Sequence, residues 1–393
     1  MPGASVLKNI KIADMTSVLF GPYCTQTLAD MGAEVVKIES PAGDILRHIG
    51  SSAKTPKMGA THLTVNRGKR SVSWDQKSDF GKEATRRLIE SSDVFIHNIR
   101  PDALSRLGLT FEDVKKIKKD IVYVHCLGFG SDGQYSGRPA YDDLIQGFSG
   151  ITSLLPRVDG TGVPRFFPMA MADKVAGLHA VHGTLAAIIE RNETGNAVHV
   201  EVPMLECVTN FVLEDHFGDA TFDPPIGKMG YERQLDPTRQ PMKTKDGYIV
   251  LAPYTDDRWI LAFSLVGGAH ELDDERFADW ASRRKNRPLM QNRMQTYIEQ
   301  ETSAHWLQLF SDNDIPVAPV NELEDLQQDP HLREANFFQR REHPTEGAYW
   351  EMQPPIRFNG APDREIRPAP HLGENTDDVL VELGLSPADA NNS

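Results

Sequence analysis

Over its first third the chain alternates short apolar or β-branched runs with amphipathic segments. That alternation limits its possible folds more than any other feature of the sequence. Residues 10–15 read as a strand, and Gly21-Pro22 opens a helix to about Met31 with proline near its first turn. Gly32 ends that helix, and residues 34–38 follow as a β-branched strand. The same grammar then predicts a strand at 71–74 and a helix at 81–91 with Ala84, Leu88 and Ile89 facing inward. A strand is expected at 94–96 and another at 121–124. Between them lies a helix led by Thr110-Phe111-Glu112-Asp113, a capping box with Asp in place of Glu. Strands and helices at this spacing imply an α/β fold built on a doubly wound parallel sheet.

Further along, a short helix is expected from the Arg138-Pro139-Ala140-Tyr141-Asp142-Asp143 segment to Phe148. The clearest helix starts at Asp173, where Val175, Leu178, Val181, Leu185 and Ile188 trace one apolar stripe. A strand at 198–202 and a helix at 204–217 follow, and Pro224-Pro225-Ile226-Gly227 reads as a linker. Beyond it a strand at 248–251 is followed mainly by helices, at 258–266, 290–300 and 304–311, which suggests a smaller α+β domain. A last helix is expected at 376–383.

The loop of residues 16–22 stands where a dinucleotide fingerprint would lie and lacks G-x-G-x-x-G, so a nicotinamide oxidoreductase loses its main support. A ligand is still expected at the carboxyl edge of the sheet. Gly128, Gly130, Gly133 and Gly137 make either a loop over an active site or a plain surface connection. By position Asp173 is a helix N-cap, and the same placement would suit a carboxylate that attacks an activated acyl group. Position alone leaves both readings open. His179 and His182 have no ligand partner at metal spacing, and Cys24, Cys126 and Cys207 form no CxxC, so no metal site is expected. Cys24 reads as a packing residue. The formal net charge of −14 argues against nucleic acid or an anionic membrane as partner. Met1-Pro2-Gly3-Ala4 does not open a signal peptide and no apolar run could span a bilayer, so a cytoplasmic enzyme is expected.

Taken in order, several segments resemble the class III coenzyme A-transferases, a superfamily that includes formyl-CoA and carnitine CoA-transferases and the α-methylacyl-CoA racemases. The resemblance is carried by Leu19-Phe20-Gly21-Pro22-Tyr23-Cys24-Thr25, by residues 28–39, by Asn66-Arg67-Gly68-Lys69-Arg70-Ser71 and by His97-Asn98-Ile99-Arg100-Pro101. It continues in Arg106-Leu107-Gly108, Ala172-Asp173-Lys174-Val175-Ala176-Gly177 and residues 370–376. It implies a large Rossmann-like domain (residues 1–222), a small domain (223–330) and a C-terminal return to the large one (331–393). It also implies two subunits interlocked as rings, with the active site between the large domain of one and the small domain of the other. Asp173 matches the nucleophile, which would pass through an aspartyl anhydride and an aspartyl-CoA thioester. Acyl-CoA is then a substrate, a free carboxylic acid is the acceptor, and no tightly bound cofactor is needed.

The family's CoA contacts map onto Leu19, Phe20, Trp74, Asp75, Gln76, Lys77, Asn98, Ile99, Arg100, Arg106, Pro139, Ala140, Tyr141 and Asp142. Two departures stand out. Ser40 replaces an arginine found in many members, and the run of four glycines of formyl-CoA transferase is missing, which speaks against formyl or oxalate specificity. Racemases place a histidine where this chain has Tyr141, and tyrosine, with an unperturbed pKa of about 10, is a poor base near neutrality. Acyl transfer is therefore favoured over racemisation and over a non-catalytic acyl-CoA-binding role. A succinyl-CoA-like donor and a dicarboxylic or branched acceptor are expected, with Arg47, His48 and Arg165 as carboxylate partners and amides of the glycine-rich loop as oxyanion donors.

Overall fold

A computed structural model describes residues 5–52, 54–359 and 365–390. Met1 to Ala4, on which the expectation about a signal peptide rests, lie outside the described residues. In chain order the elements are β1 (Lys11–Met15), α1 (Phe20–Asp30), β2 (Glu34–Glu39), α2 (Ala60–Val65), β3 (Lys69–Ser73), α3 (Asp79–Glu90) and β4 (Val94–His97). Then come α4 (Pro101–Leu107), α5 (Phe111–Ile117), β5 (Val122–Leu127), α6 (Asp142–Phe148), α7 (Leu154–Asp159), α8 (Met171–Thr194), β6 (Val198–Pro203) and α9 (Met204–His216). The six strands form one sheet in the order β3-β2-β1-β4-β5-β6, with every pair parallel. The order reverses between β1 and β4, so a crevice opens outside their carboxyl ends.

Two compact units divide the chain. The large unit takes the described residues within 1–152, 166–214 and 331–393, and the small unit those of 153–165 and 215–330. In the large unit the strand residues Ala13, Val36, Ile38, Val72, Phe95 and Tyr123 pack one face of the sheet against Leu88, Leu104 and Val114 from the helices of that face. Val379 and Leu380, on the helix Thr376–Glu382, join the same core. The C-terminal return thus covers the edge beside β3, and the Asn375 side chain accepts the Ser71 N–H at 3.0 Å. It also contains an antiparallel hairpin, Phe338–His343 with Gly347–Met352, which the sequence pattern did not announce. In the small unit a three-stranded antiparallel sheet and surrounding helices enclose Ile249, Trp259, Phe263, Phe277, Met294 and Phe310. No helix among the described residues is long and apolar enough to cross a membrane.

The opposite face of the large sheet carries charge. In β1 and β2 the alternate positions Asp14, Lys37 and Glu39 point away from the apolar core, and all are buried. Glu39 takes both prongs of Arg47, at 2.7 and 2.6 Å, as well as the Ser71 hydroxyl at 2.7 Å. Arg47 is fully buried and also donates to the Pro370 carbonyl, so it is a structural cation and not a substrate carboxylate partner. Burial works to raise the Glu39 carboxyl, but the hydrogen bonds and charges of Arg47 and Lys37 hold it at about 2. Replacing Glu39 with Gln strands Arg47 without a counter-charge and is expected to lower stability by about 3–5 kcal/mol in denaturant titrations at pH 7. The folded pKa is depressed, so the wild type keeps this contribution above about 4.5 and loses it as pH falls toward about 2. The E39Q variant should show a flatter loss of stability over that interval.

Candidate active site

Beneath the β1–α1 loop the buried charges form a continuous lattice. Asp14 accepts the Thr16 amide (2.9 Å), the Thr16 hydroxyl (2.5 Å) and the Thr25 hydroxyl (2.6 Å). Lys37 donates to the Thr16 carbonyl (2.7 Å) and to Asp44 (2.9 Å), and Asp44 in turn accepts the Val18 amide (3.0 Å). Val18 is held at φ 66°, a costly conformation for a β-branched residue, which persists because its neighbours are pinned on both sides. Asn98 completes the clamp across the switch point. Its side-chain oxygen accepts the Ser17 N–H (3.0 Å) and its NH₂ donates to the Ser17 carbonyl (2.8 Å).

Above this floor lies a cleft of about 240 Å³. The β1–α1 loop supplies Ser17, Val18 and Phe20, the β4–α4 loop supplies Asn98, Ile99, Arg100 and Pro101, and the segment after β5 supplies Gly128, Phe129, Gly137, Arg138, Ala140 and Tyr141. Asp173 lines the same cleft and is 7% exposed. Helix α8 carries it there by packing on α1 at a very short distance. A Cβ at Gly177 would stand 3.0 Å from the Phe20 carbonyl and 2.9 Å from the Tyr23 ring, so only glycine permits the crossing.

Asp173 is not the helix cap that its position suggests. The helix begins at Met171, its N-cap is Ala170 and no side chain of that residue can cap it, so Asp173 is the third helical residue. The capping function comes from elsewhere: Asp142, at the start of α6, accepts the Asp173 N–H at 3.0 Å. Gln146, one turn further on, holds the segment before α8 by accepting the Phe167 N–H and donating to the Met169 carbonyl. The Asp173 carboxyl is thereby left to the cleft. Burial first, and the neighbouring Asp142 second, push it up to about 7, against the opposing pull of the Phe20 N–H.

Of the residues expected at this site, Phe20, Asn98, Ile99, Arg100, Ala140, Tyr141 and Asp173 line one cleft, and Asp142 touches Asp173 directly. Leu19 is the N-cap of α1 and does not line it. Trp74 is buried in the sheet core with its indole N–H on Thr85 (3.0 Å), while Asp75, Gln76 and Lys77 sit in the β3–α3 loop at the sheet edge. Arg106 is exposed on the last turn of α4, and Pro139 is exposed beside the cleft. His48 is exposed and Arg165, in the small unit, pairs with Asp159; neither is among the residues that line this cleft. The amides of Gly130 and Gly133 are engaged by Glu206 and by the Gly130 carbonyl, which removes these two as oxyanion donors.

Sequence reasoning did not single out Ser17, Val18, Arg138 or Gln146. Ser17 and Val18 lie in the strand-to-helix loop and Arg138 opens the segment before α6, both of which stand out in the sequence, whereas nothing local marks Gln146. Cys24 is fully buried and its thiol is pushed up by burial, consistent with packing. His125, His199 and Glu201, and separately His343, Glu346 and His371, bring ligand atoms within 4.8 Å of one another. In the first group His125 meets the Ile99 carbonyl and Glu201 accepts the Ser131 hydroxyl, and in the second His343 meets the Ala369 carbonyl while Thr345 bonds Glu346 and His371.

The raised carboxyl carries a stability cost. The unfolded chain ionises Asp173 near 3.8 and the folded one only near 7, so stability falls as pH rises through that interval. Asp173→Asn should therefore be more stable than wild type by about 1–3 kcal/mol at pH 8, with the gain shrinking toward pH 4 in thermal or denaturant melts.

The profile of CoA-transferase family III matches residues 7–376. The chain is 30% identical to the succinyl-CoA:glutarate CoA-transferase of Mus musculus, covering 96% of this chain and 86% of that protein. It is 31% identical to the formyl-CoA:oxalate CoA-transferase of Streptomyces coelicolor, covering 97% and 96%. The crystal structure of a CaiB/BaiF family protein from Brucella suis superposes with a TM-score of 0.82 at 28% identity, covering 97% of this chain and all of that one.

Proposed function

The chain belongs to CoA-transferase family III, and on that basis we propose that it moves coenzyme A from an acyl-CoA to a free carboxylic acid with Asp173 as the nucleophile. The observation that carries this reading is a single buried carboxyl, raised to about 7, at the floor of a cleft on the carboxyl side of the sheet's switch point. A carboxylate is a weak nucleophile in water. Stripped of water and held beside a thioester, it becomes a competent one.

The steps balance without an outside energy source. The Asp173 carboxylate attacks the thioester carbonyl of the donor, CoA leaves as thiolate, and an aspartyl acyl anhydride remains. The thiolate then attacks the aspartyl carbonyl, which releases the donor acid and leaves CoA on Asp173 as a thioester. The acceptor carboxylate displaces the thiolate to form a second anhydride, and the thiolate attacks its acyl carbon to give the new acyl-CoA and free Asp173. Each intermediate keeps an activated acyl carbon, so the main side reaction is hydrolysis, which the burial of the Asp173 carboxyl at the base of the cleft opposes. Arg100 and Arg138 at its rim suit the phosphates of CoA. The relatives act on succinyl-CoA with glutarate and on formyl-CoA with oxalate. A succinyl-like donor and a dicarboxylic acceptor are the corresponding proposal here. We propose a homodimer as the working form, which light scattering on the purified protein tests directly.

A carboxyl near 7 would also suit a general base, the one feature that favours α-proton exchange as a second reading. The two readings separate cleanly. Incubation with acyl-CoA followed by borohydride should convert Asp173 alone to an alcohol, visible as a mass change on its peptide. An unmodified Asp173, with deuterium entering the α-carbon from heavy water, would replace transfer by proton exchange. Asp173→Ala should lower kcat by about a thousandfold or more. Because the carboxylate is the reacting form, wild-type kcat/KM should climb with pH up to about 7 and level off above it.

A further inference from the structure

Five of the ten arginines of the small unit form ion pairs. Arg165 meets Asp159, Arg258 meets Asp314, Arg276 meets Asp274, Arg283 meets Asp256, and Arg293 bridges Glu271 and Asp274. Arg233, Arg239 and Arg287 are different. All three line one cavity of about 260 Å³ within the small unit, and among the described residues none of them forms an ion pair. Asp236 is the cavity's sole carboxylate, and one of its oxygens is already occupied by the Thr238 amide (2.8 Å) and hydroxyl (2.7 Å). Arg233 lies over the Tyr254 ring at 5.1 Å, which fixes the guanidinium without neutralising it. Burial first, then the charges of Arg233 and Arg284, make the protonated form of Arg287 less favourable than in water, and the opposing pull of Tyr231 and Asp236 only partly offsets them.

Three guanidinium groups facing one carboxylate leave an excess of positive charge in the cavity, a repulsion that an anion would remove. Planar guanidinium groups match carboxylate oxygens two by two. The remaining lining, including Trp259 and Tyr254, is largely apolar, so the complementary molecule has charged oxygens on a short hydrocarbon body. We propose that this cavity binds a small dicarboxylic acid, the class of molecule that receives CoA. The proposal rests on the reading of the chain as transferring CoA to a free acid. Phosphate oxygens of CoA share the oxyanion chemistry, but the apolar wall and the small volume favour the acid.

Titration calorimetry on the full-length protein with succinate, glutarate and adipate, and separately with CoA, tests it. At least one dicarboxylate should bind the wild type, and its dimethyl ester should not. Arg287→Met should weaken that binding at least tenfold and raise KM for the acid with little change in kcat, while CoA affinity stays constant. Arg287→Lys should recover part of the loss. The ligand-free R287M protein should melt no lower than wild type, because the substitution relieves repulsion. Dicarboxylate affinity unchanged in R287M, no dicarboxylate binding at all, or a loss confined to CoA would each overturn the proposal. A lower melting temperature in R287M that R287K does not restore would also overturn it, by showing a packing role. Asp173→Asn separates this idea from the covalent mechanism. Arg287-dependent acid binding without an Asp173 adduct leaves the cavity standing and removes the nucleophile. An adduct without Arg287 dependence does the reverse.

Discussion

The lattice of buried charge between β1, β2 and β3 is the interaction on which the site depends. Lys37 joins the Thr16 carbonyl to Asp44, Asp44 holds the Val18 amide, and Glu39 binds both the Asp44 amide (3.0 Å) and Arg47. Such a lattice contributes little net stability compared with a well-packed apolar core, because desolvation offsets most of the attraction. What it supplies is position. A loop of four residues that turns from a strand into a helix would otherwise sample many shapes, and this one includes a valine at positive φ. Hydrogen bonds from below fix where the Phe20 amide points, and that amide faces the Asp173 carboxyl.

Two carboxylates at one helix end look wasteful until their tasks are separated. Asp142 satisfies the backbone donor at the start of α8 and also accepts from Gln146 (2.6 Å), so its oxygens are committed. Asp173, spared that duty, is buried with one backbone donor and a like charge nearby, and both burial and repulsion raise its proton affinity. The protein therefore gives up folding stability to keep the carboxyl proposed as nucleophile poorly solvated. The exchange is typical of sites whose chemistry needs a group out of its solution equilibrium.

Most of the large sheet was legible because its strands are β-branched runs broken by glycine and because the core positions repeat at helical spacing. Ala84, Leu88 and Ile89 face inward as that spacing requires. The hairpin at Phe338–His343 and Gly347–Met352 was not legible, since its alternation mixes Arg340, Arg341 and Glu342 with Trp350 and lacks the two-residue turn signal. Within the site, the motif around Asp173 was found but its helical position was not, because the residue that caps the helix lies 31 positions earlier. Arg47 misled for a related reason. A cation in a polar loop reads as exposed, and nothing local reveals that the chain doubles back to place it on Glu39. Trp74 likewise matched a family motif while its side chain went to the core. In the small unit Arg287 joins Arg233 and Arg239 from about fifty positions further along the chain, a separation over which a single sequence carries no contact signal.

Net charge frames the last point. An acidic chain that handles acidic substrates gains nothing from long-range steering, since its overall field repels CoA esters and free acids alike. At physiological ionic strength that repulsion is screened beyond about 8 Å. Recognition must therefore be built from cations that act at contact distance, in places where local geometry outweighs the mean field. Arg100 and Arg138 at the rim of the cleft are the cations we propose for that task in the large unit, and Arg233, Arg239 and Arg287 those we propose in the small one. Five of the other seven arginines in the small unit are held in internal ion pairs, so little further positive charge in that unit is uncommitted.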